Sequence, residues 1–233
     1  MSKKRRARQL EGLRALVNLV RDPNDTSYAF IVIRSFGEDA EETMLRRLRA
    51  TEVGRRILGS RRTLAEVLID RDALRAMPEG SLGRAYLEYC AREGITAEGL
   101  VTASEAADPF AGEELEALSR RMRDSHDLWH LVTGYETDLL GELGVLAFSA
   151  VQTRNPGVWM LVLGAMLRAT PVLPEAVRVV SGAIGRARKA AWLPGADWEE
   201  LLARPLTEVR AMLSIDATPR YRPYRHDAHP VAA

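Results

Sequence analysis

The chain has 233 residues, of which 46% are hydrophobic and 28% are charged, as in ordinary soluble globular proteins. Its formal net charge of +1 gives no overall attraction to nucleic acid, so we expect no nucleic-acid partner. The single cysteine, Cys90, excludes an internal disulfide framework and a zinc site made of several cysteines.

Residues 1–9 are predicted to form a flexible basic arm. Basic side chains crowd residues 3–8, with no acid among them. Such an arm could simply be solvated, or it could be attracted to anionic lipid headgroups by about 1 kcal/mol per basic residue near the surface. The sequence leaves both alternatives open.

Residues 10–215 are predicted to form a single, mainly helical domain, which makes the fold class all-α. The run IVI at residues 31–33 would suit a strand, but no alternating partner strands lie nearby in the sequence. A turn at residues 77–80 leads to a helix that is capped by Ser81 and ends at Gly94. The apolar spacing elsewhere is also typical of helices.

The part of the domain beyond residue 142 is markedly apolar. A break at residues 152–156 separates two of its predicted helices. No apolar run approaches the roughly 20 residues that a membrane-spanning helix needs, so we expect a protein that is soluble or lies on a membrane. The proline-rich polar tail, residues 216–233, is predicted to be flexible.

Two histidines, His126 and His130, stand four residues apart in the segment RDSHDLWHLVTGYETDLLGEL. Residues i and i+4 share one face of a helix, so both imidazoles can reach one ion, as in helical zinc motifs. Asp127 could supply a carboxylate at the edge of that site or orient an imidazole. The alternative is an exposed helix face on which the histidines only pair with acids, and spacing alone leaves it open.

Glu142 follows His130 by twelve residues, or roughly 18 Å along a straight helix, which is too far for it to join the pair. A helix could, however, end near Gly134, and the chain could fold back there. His130 and Glu142 would then be nearly level on antiparallel helices, an arrangement in which helical proteins build metal sites. The spacing therefore predicts a metal site on a helix hairpin if the chain turns at this point.

Other chemistries fit these residues less well. A zinc protease needs a glutamate after the first histidine, where this chain has Asp127. Phosphohydrolases with a metal-binding His-Asp pair need another histidine upstream, and none precedes His126. A helical metal-dependent hydrolase with a different substrate is a weaker alternative. The arginines before the motif, at positions 120, 121 and 123, could hold an anionic head group or phosphate, although an ordinary solvated face is the expected environment.

The segment HDLWHLVTGYETDLLGE resembles the hallmark of the coenzyme Q biosynthesis protein 4 family, in which HDxxH is followed by eleven residues and a glutamate. Two flanking segments are also similar to that family: MPEGSLGRAY at residues 77–86 and ADWEELLARPLTEVRAMLSI at residues 196–215. The resemblance covers roughly residues 24–215, which leaves out the basic arm and the tail.

The resemblance implies a mainly helical protein of ubiquinone biosynthesis that binds one divalent metal and a prenyl lipid. Carried over residue by residue, the implied metal ligands are His126, Asp127, His130 and Glu142. These ligands do not distinguish zinc, iron, manganese, cobalt and magnesium. The implied chemistry is oxidative decarboxylation of a prenylated hydroxybenzoate, in which a hydroxyl replaces the C1 carboxyl. The alternative is a non-catalytic scaffold that binds prenyl intermediates and organises other enzymes of the pathway, so enzymatic activity stays open.

A prenyl tail needs a long apolar groove, in which each buried methylene contributes about 0.8 kcal/mol. The apolar helices beyond residue 142 predict such a groove, although the same helices could instead form only the core. The predicted lipid-binding residues are Val145, Phe148, Trp159 and Leu163.

The partners implied by the resemblance are a prenylated quinone precursor, a membrane surface, other ubiquinone-biosynthesis proteins and a second copy of the chain in a homodimer. If the protein is bacterial, the implied location is the cytoplasm, peripheral to the inner membrane. If it is eukaryotic, the implied location is the matrix face of the mitochondrial inner membrane.

Overall fold

The computed structural model describes residues 3–22, 25, 27–96, 99, 112–169, 172–215 and 219–224. Over these residues the regular elements are helices and no strand is present, although an isolated antiparallel bridge joins Ser81 and Pro205. The predicted all-α fold class is therefore confirmed. The run IVI at residues 31–33 belongs to a helix, as the lack of partner strands indicated.

The α-helices of the described ranges are between 4 and 23 residues long. In chain order they are α1 (Lys3–Arg21), α2 (Ser27–Arg49), α3 (Glu52–Gly59), α4 (Leu64–Leu68), α5 (Arg71–Arg75), α6 (Leu82–Glu93), α7 (Glu113–Asp124), α8 (His126–Thr133), α9 (Leu139–Thr153), α10 (Pro156–Arg168), α11 (Leu173–Lys189), α12 (Trp198–Leu201) and α13 (Leu206–Met212). A short 3-10 helix, Leu193–Gly195, precedes α12.

The chain divides into two compact units, each built from segments that are distant in sequence. The first unit comprises Met1–Ala40, Tyr135–Arg188 and Thr218–Ala233, and the second comprises Glu41–Gly134 and Lys189–Ala217. This division does not test whether the helical domain begins at residue 10 and ends at residue 215, so both limits stay predictions.

The core of the first unit lies among α1, α2 and α10. Helices α1 and α9 each pack against α10. Ala15, Val32 and Leu161 are buried together there, and the partly buried side chains around them are also apolar. Apolar residues at helical spacing thus bury one face of each helix, which is the main stabilising contribution expected for amphipathic helices.

The break predicted at residues 152–156 is the junction between α9 and α10. The side chain of Asn155 accepts a 2.7 Å hydrogen bond from the amide of Gly157, and Pro156 is the first residue of the helix. Gly157 also lets α10 approach α2 closely, because a Cβ at that position would lie 2.6 Å from the Cα of Ile33. The predicted break is therefore confirmed, and the helix that follows is held against α2.

The second unit has a core of its own. Its buried centre consists of Met44, Leu45, Leu48 and Leu118. Trp192 packs against this cluster, and the guanidinium of Arg47 lies 4.1 Å from the centroid of its ring, a cation–π arrangement. Around the core, α7 packs against α3, α4 and α8, whereas α6 packs against α5, α8 and α13.

Arg121 of α7 is buried in the second unit, with 7% of its surface exposed. Its guanidinium donates hydrogen bonds of 2.7 and 2.8 Å to the two carboxylate oxygens of Glu199 and one of 2.9 Å to the carbonyl of Ala196. The prediction of a solvated arginine face is therefore wrong for this residue. The physical reason is that Glu199, which lies 78 residues later in the chain, supplies a paired charge that makes burial tolerable.

Helix α6 begins and ends as predicted. The side chain of Ser81 accepts a hydrogen bond from the amide of Arg84 at 3.3 Å and caps the helix. Gly94 ends the helix in the left-handed conformation, with φ of 69°. These local signals fix the position of α6 in the sequence, and with it the two tyrosines that this helix brings to α8.

The structure describes part of the predicted basic arm and part of the predicted C-terminal tail. Residues 3–9 of the predicted arm continue α1, and Arg5 forms a 2.8 Å ion pair with Asp39. Residues 219–224 of the predicted tail contact the segment before α9, whereas residues 225–233 lie outside the described residues. Among the helices described, none combines the length and the apolar character needed to cross a membrane.

Candidate metal site

Helix α8 carries both histidines, and its sequence explains where it begins and ends. It starts at His126, directly after Ser125 closes α7. Gly134 ends it in the left-handed conformation, with φ of 76°, and the amide of Gly134 donates to the carbonyl of His130 at 2.8 Å. The predicted end of the helix at Gly134 is therefore confirmed.

The two imidazoles lie on the same face of α8, as the i, i+4 spacing predicts. Their ring centroids are 4.8 Å apart, with an interplanar angle of 65°. The side chain of His126 is 44% exposed, whereas His130 is 2% exposed. One imidazole is thus accessible from solvent, while the other is held inside the protein.

Two tyrosines of α6, a helix that packs against α8, are not among the predicted site residues. The ring of Tyr89 stacks with that of His130, with centroids 6.2 Å apart. Tyr86 is buried, and burial raises the pKa of its hydroxyl above the ordinary value, with smaller contributions from Cys90 and Asp127. The two tyrosines are spaced i, i+3 in GRAYLEYC, a pattern that puts them on one helical face and could have revealed them.

Asp127 follows His126 in the first turn of α8. Its carboxylate oxygen lies 3.8 Å from Nδ1 of His126, and its side chain is 19% exposed. This separation is longer than a hydrogen bond. The role of Asp127 in orienting the imidazole, one of the two roles that the sequence suggested, therefore stays a prediction.

Glu142 lies in the first turn of α9. Asp138 caps this helix: its side chain accepts from the amide of Leu140 at 3.0 Å, and its carbonyl accepts from the amide of Glu142 at 2.8 Å. The chain therefore leaves α8 at Gly134 and begins the next helix at Leu139, so the straight-helix alternative, which would keep Glu142 far from the histidines, is excluded.

Ligand atoms of His126, His130 and Glu142 all lie within 4.8 Å of one another. Zinc ligands each lie about 2.1 Å from the ion, so two ligands are at most about 4.2 Å apart across it. Small side-chain rotations would therefore bring all three to one ion. Two imidazoles and one carboxylate suit zinc, iron, manganese or cobalt, so the residues fit the predicted metal. Asp127 is not part of this group, and its role as a fourth ligand stays a prediction.

The four predicted lipid-binding residues have two different environments. Val145 and Phe148 in α9 have no exposed surface, which is typical of core residues. Trp159 and Leu163 in α10 are 39% and 61% exposed. The two pairs therefore do not share one open surface in this conformation, and the lipid groove stays a prediction.

The family model for the coenzyme Q (ubiquinone) biosynthesis protein Coq4 matches residues 8–219 of the chain. The chain belongs to this family. The resemblance drawn from the HDxxH segment and its flanks is therefore confirmed.

Coq4 proteins of eukaryotes are among the most similar relatives. The mitochondrial ubiquinone biosynthesis protein coq4 of Talaromyces stipitatus is 34% identical over 185 residues, which are 76% of this chain and 60% of the relative. The mitochondrial COQ4 homolog of Rattus norvegicus is 32% identical over 174 residues, 72% of this chain and 63% of the relative. The chain thus spans about three fifths of the length of these curated relatives.

A solved structure has the same fold. The crystal structure of a putative ubiquinone biosynthesis protein from Nostoc punctiforme matches with a TM-score of 0.64 and 21% sequence identity. The match covers 89% of this chain and 98% of the Nostoc chain. At this identity the likeness supports the helical Coq4 fold and says nothing further of the site.

Proposed function

We propose that this Coq4-family protein binds one divalent metal ion through His126, His130 and Glu142 and acts on a prenylated hydroxybenzoate in ubiquinone biosynthesis. The observation that supports this proposal is the approach of the three ligand atoms to within 4.8 Å of one another. Three protein ligands leave a coordination position open, as catalytic metal sites do and closed structural sites do not. Asp127 is proposed as the residue that orients His126, or as a further ligand of an ion that takes more than four ligands.

The proposed reaction replaces the C1 carboxyl of the ring with a hydroxyl. The bond between C1 and the carboxyl carbon breaks, carbon dioxide leaves, and a new C–O bond forms at C1. Two electrons pass to dioxygen, so that the acid, dioxygen and water yield the phenol, carbon dioxide and hydrogen peroxide. When bound, the metal supplies a Lewis acid for the oxygen substituents of the ring.

The residues of the chain itself hold this site in place and control access to it. His130 is buried against Tyr89, so its imidazole has little freedom to rotate. The exposure of His126 leaves one side of the site accessible from solvent. Packing that fixes the orientation of a ligand is what a preorganised site requires.

Substrate conversion under air tests the catalytic part of the proposal. Metal-loaded protein is incubated with prenylated 4-hydroxybenzoate, and the lost carboxyl and gained hydroxyl are followed by mass spectrometry. We expect conversion by the wild type and at least about tenfold slower conversion by Glu142→Gln, which keeps the shape of the side chain but not its charge. Glu175→Gln, which changes a carboxylate that pairs with Arg178 at 2.8 Å in α11, is the matched control and should convert substrate normally.

Two results would contradict the catalytic proposal. The first is a fully metal-loaded wild type that leaves the substrate intact. The second is equal conversion by Glu142→Gln and Glu175→Gln, because the metal site would then take no part in the chemistry.

A second candidate function is a non-catalytic scaffold that binds prenyl intermediates and presents them to other enzymes. The observation that favours it is the exposed apolar surface of α10, where Leu163 and Leu167 are 61% and 62% exposed one helical turn apart. Trp159 lies one further turn back on the same face. Apolar side chains clustered in this way are typical of surfaces that bind lipid or protein. In this proposal Val145 and Phe148 line the deeper end of the prenyl site after a local rearrangement.

Binding of a prenylated precursor in neutral phospholipid vesicles tests the scaffold. Leu163→Asp should weaken binding of the precursor, whereas Met212→Asp, an equally drastic change at a half-exposed position of α13, should not. Equal binding by both variants would contradict a prenyl site on α10. Loss of binding by Leu163→Asp, together with no substrate conversion by the wild type, would favour the scaffold over the enzyme.

The remaining partners and the location are proposals of the same kind. We propose a peripheral protein at a membrane surface, either on the cytoplasmic side of a bacterial inner membrane or on the matrix side of a mitochondrial one. It would act as a homodimer and contact other proteins of ubiquinone biosynthesis. Light scattering during gel filtration that gives the mass of a single chain would contradict the dimer.

A further inference from the structure

Residues 219–224, the C-terminal segment, contact the stretch of chain that leads into α9. The hydroxyl of Tyr221 donates to a carboxylate oxygen of Asp138 at 2.8 Å and accepts from the amide of Glu136 at 2.9 Å. The amide of Tyr224 donates to the other oxygen of Asp138 at 2.7 Å, and its carbonyl accepts from the amide of Leu139 at 3.2 Å. Four hydrogen bonds thus connect this segment to residues 136–139.

Asp138 is the centre of these contacts. It is 3% exposed, and its carboxylate accepts from Tyr221, from the amide of Tyr224 and from the amide of Leu140. Its backbone carbonyl accepts from the amide of Glu142 at 2.8 Å, the first hydrogen bond of α9. A buried carboxylate with three donors at a helix N-terminus has little freedom to move, and neither has the turn that it caps.

Gly141 brings the first turn of α9 directly against this segment. A Cβ at position 141 would lie 2.6 Å from the hydroxyl of Tyr221 and closer still to the carbonyl of Glu136. The ring of Tyr221 also lies against that of Tyr135, with centroids 5.8 Å apart. The backbone one residue before Glu142 therefore has the C-terminal segment as its immediate neighbour.

We infer that Tyr221, through Asp138, is a positioning residue that holds the first turn of α9 where Glu142 can act as a metal ligand. The path runs from the Tyr221 hydroxyl to the carboxylate of Asp138, and from the carbonyl of Asp138 to the amide of Glu142. Partners that orient ligands from outside the coordination sphere typically change metal affinity 10- to 100-fold when they are removed. The inference rests on the proposed function, because that proposal supplies the metal. The hydrogen bonds of Tyr221 and Asp138 do not depend on the proposed function.

Tyr221→Phe in the full chain tests this role, because it removes the hydroxyl and keeps the ring against Tyr135. Tyr28→Phe is the matched control, since Tyr28 is a partly buried tyrosine of α2 in the core of the same unit. In metal-free protein, we expect Tyr221→Phe to speed amide hydrogen exchange at residues 139–142 and Tyr28→Phe to leave it unchanged. In a competition assay with a chelator, we expect Tyr221→Phe to bind Zn²⁺ about tenfold more weakly than the wild type.

A double-variant cycle separates positioning from general loss of stability. In the Glu142→Gln background, Tyr221→Phe should cause no further loss of Zn²⁺ affinity, because the residue through which it acts is already changed. Asp138→Asn, which cannot accept from the tyrosine hydroxyl through its amide nitrogen, should reproduce the faster exchange of residues 139–142.

The possible results have distinct meanings. Unchanged exchange at residues 139–142 in Tyr221→Phe would overturn the inference whatever the metal does. The inference would also be overturned if Tyr221→Phe lowered Zn²⁺ affinity equally in the wild type and in the Glu142→Gln background. The effect of Tyr221 would then not pass through Glu142. If the wild type binds no Zn²⁺ and exchange is nevertheless faster in Tyr221→Phe, the proposed metal function fails while Tyr221 is still shown to hold the turn.

Discussion

Replacing Arg121 with methionine should lower the free energy of unfolding by about 3 kcal/mol at neutral pH. Methionine keeps most of the apolar stem but none of the donors, so the carboxylate of Glu199 and the carbonyl of Ala196 both lose hydrogen bonds of 2.7 to 2.9 Å. Breaking a fully buried ion pair typically costs 3–5 kcal/mol. Because the side chain of Glu199 is 32% exposed, water recovers part of this loss, and the low end of the range applies.

The loss should depend on pH. Burial alone raises the pKa of Glu199, but the hydrogen bonds and charge of Arg121 outweigh it and hold the pKa below its ordinary value. A carboxyl with a lowered folded-state pKa stabilises the protein above its unfolded pKa of about 4.3, and this contribution is lost as pH falls through the folded value. The difference between wild type and Arg121→Met should therefore be largest near neutral pH and shrink in acid.

Urea denaturation at neutral pH and in acid, followed by circular dichroism, measures both effects. Arg120→Met is the matched control, because Arg120 pairs with Glu116 only as a partly exposed i, i+4 neighbour at 3.2 Å and should contribute less than about 0.5 kcal/mol. A loss in Arg121→Met no larger than in the control would refute the reasoning. So would a loss of the same size at both pH values.

Three further substitutions test the packing and capping of the helices by thermal denaturation. Gly157→Ala should destabilise the protein by about 2 kcal/mol, because the new Cβ would meet the backbone of Ile33 at 2.6 Å. Gly182→Ala, in α11 with open space around it, should instead stabilise by up to about 1 kcal/mol, so equal effects of the two alanines would contradict the close approach of α10 and α2. Ser81→Ala should cost about 1 kcal/mol, since it leaves the amide of Arg84 without its cap, and an unchanged melting temperature would argue against the cap.

The parts of the fold that the sequence predicted well depend on neighbouring residues. Ser81 and Gly94 begin and end α6 because a cap and a left-handed glycine act within one helical turn. The same holds for Asn155 at the start of α10 and for Gly134 at the end of α8. The HDxxH spacing is also local, so the shared face of the two histidines could be predicted from the helical period alone.

The parts that the sequence did not predict depend on residues far apart in the chain. Arg121 lies in a run of arginines typical of a solvated face, but its hydrogen bonds to Glu199 and Ala196 make its burial possible. The composition of the segment around Tyr221 is typical of a flexible tail, and its four hydrogen bonds to residues 136–139 leave no trace in that composition. Such pairings carry no periodic or local signal in a single sequence.

Zn²⁺ binding by metal-stripped protein tests the central claim most directly, because that claim is the assembly of His126, His130 and Glu142 around one ion. The wild type and Glu175→Gln should bind one Zn²⁺ per chain, whereas Glu142→Gln and His130→Ala should each bind at least about tenfold more weakly while keeping the helical circular dichroism of the wild type. Absence of Zn²⁺ binding by the wild type, or equal affinity in all four proteins, would contradict the metal site.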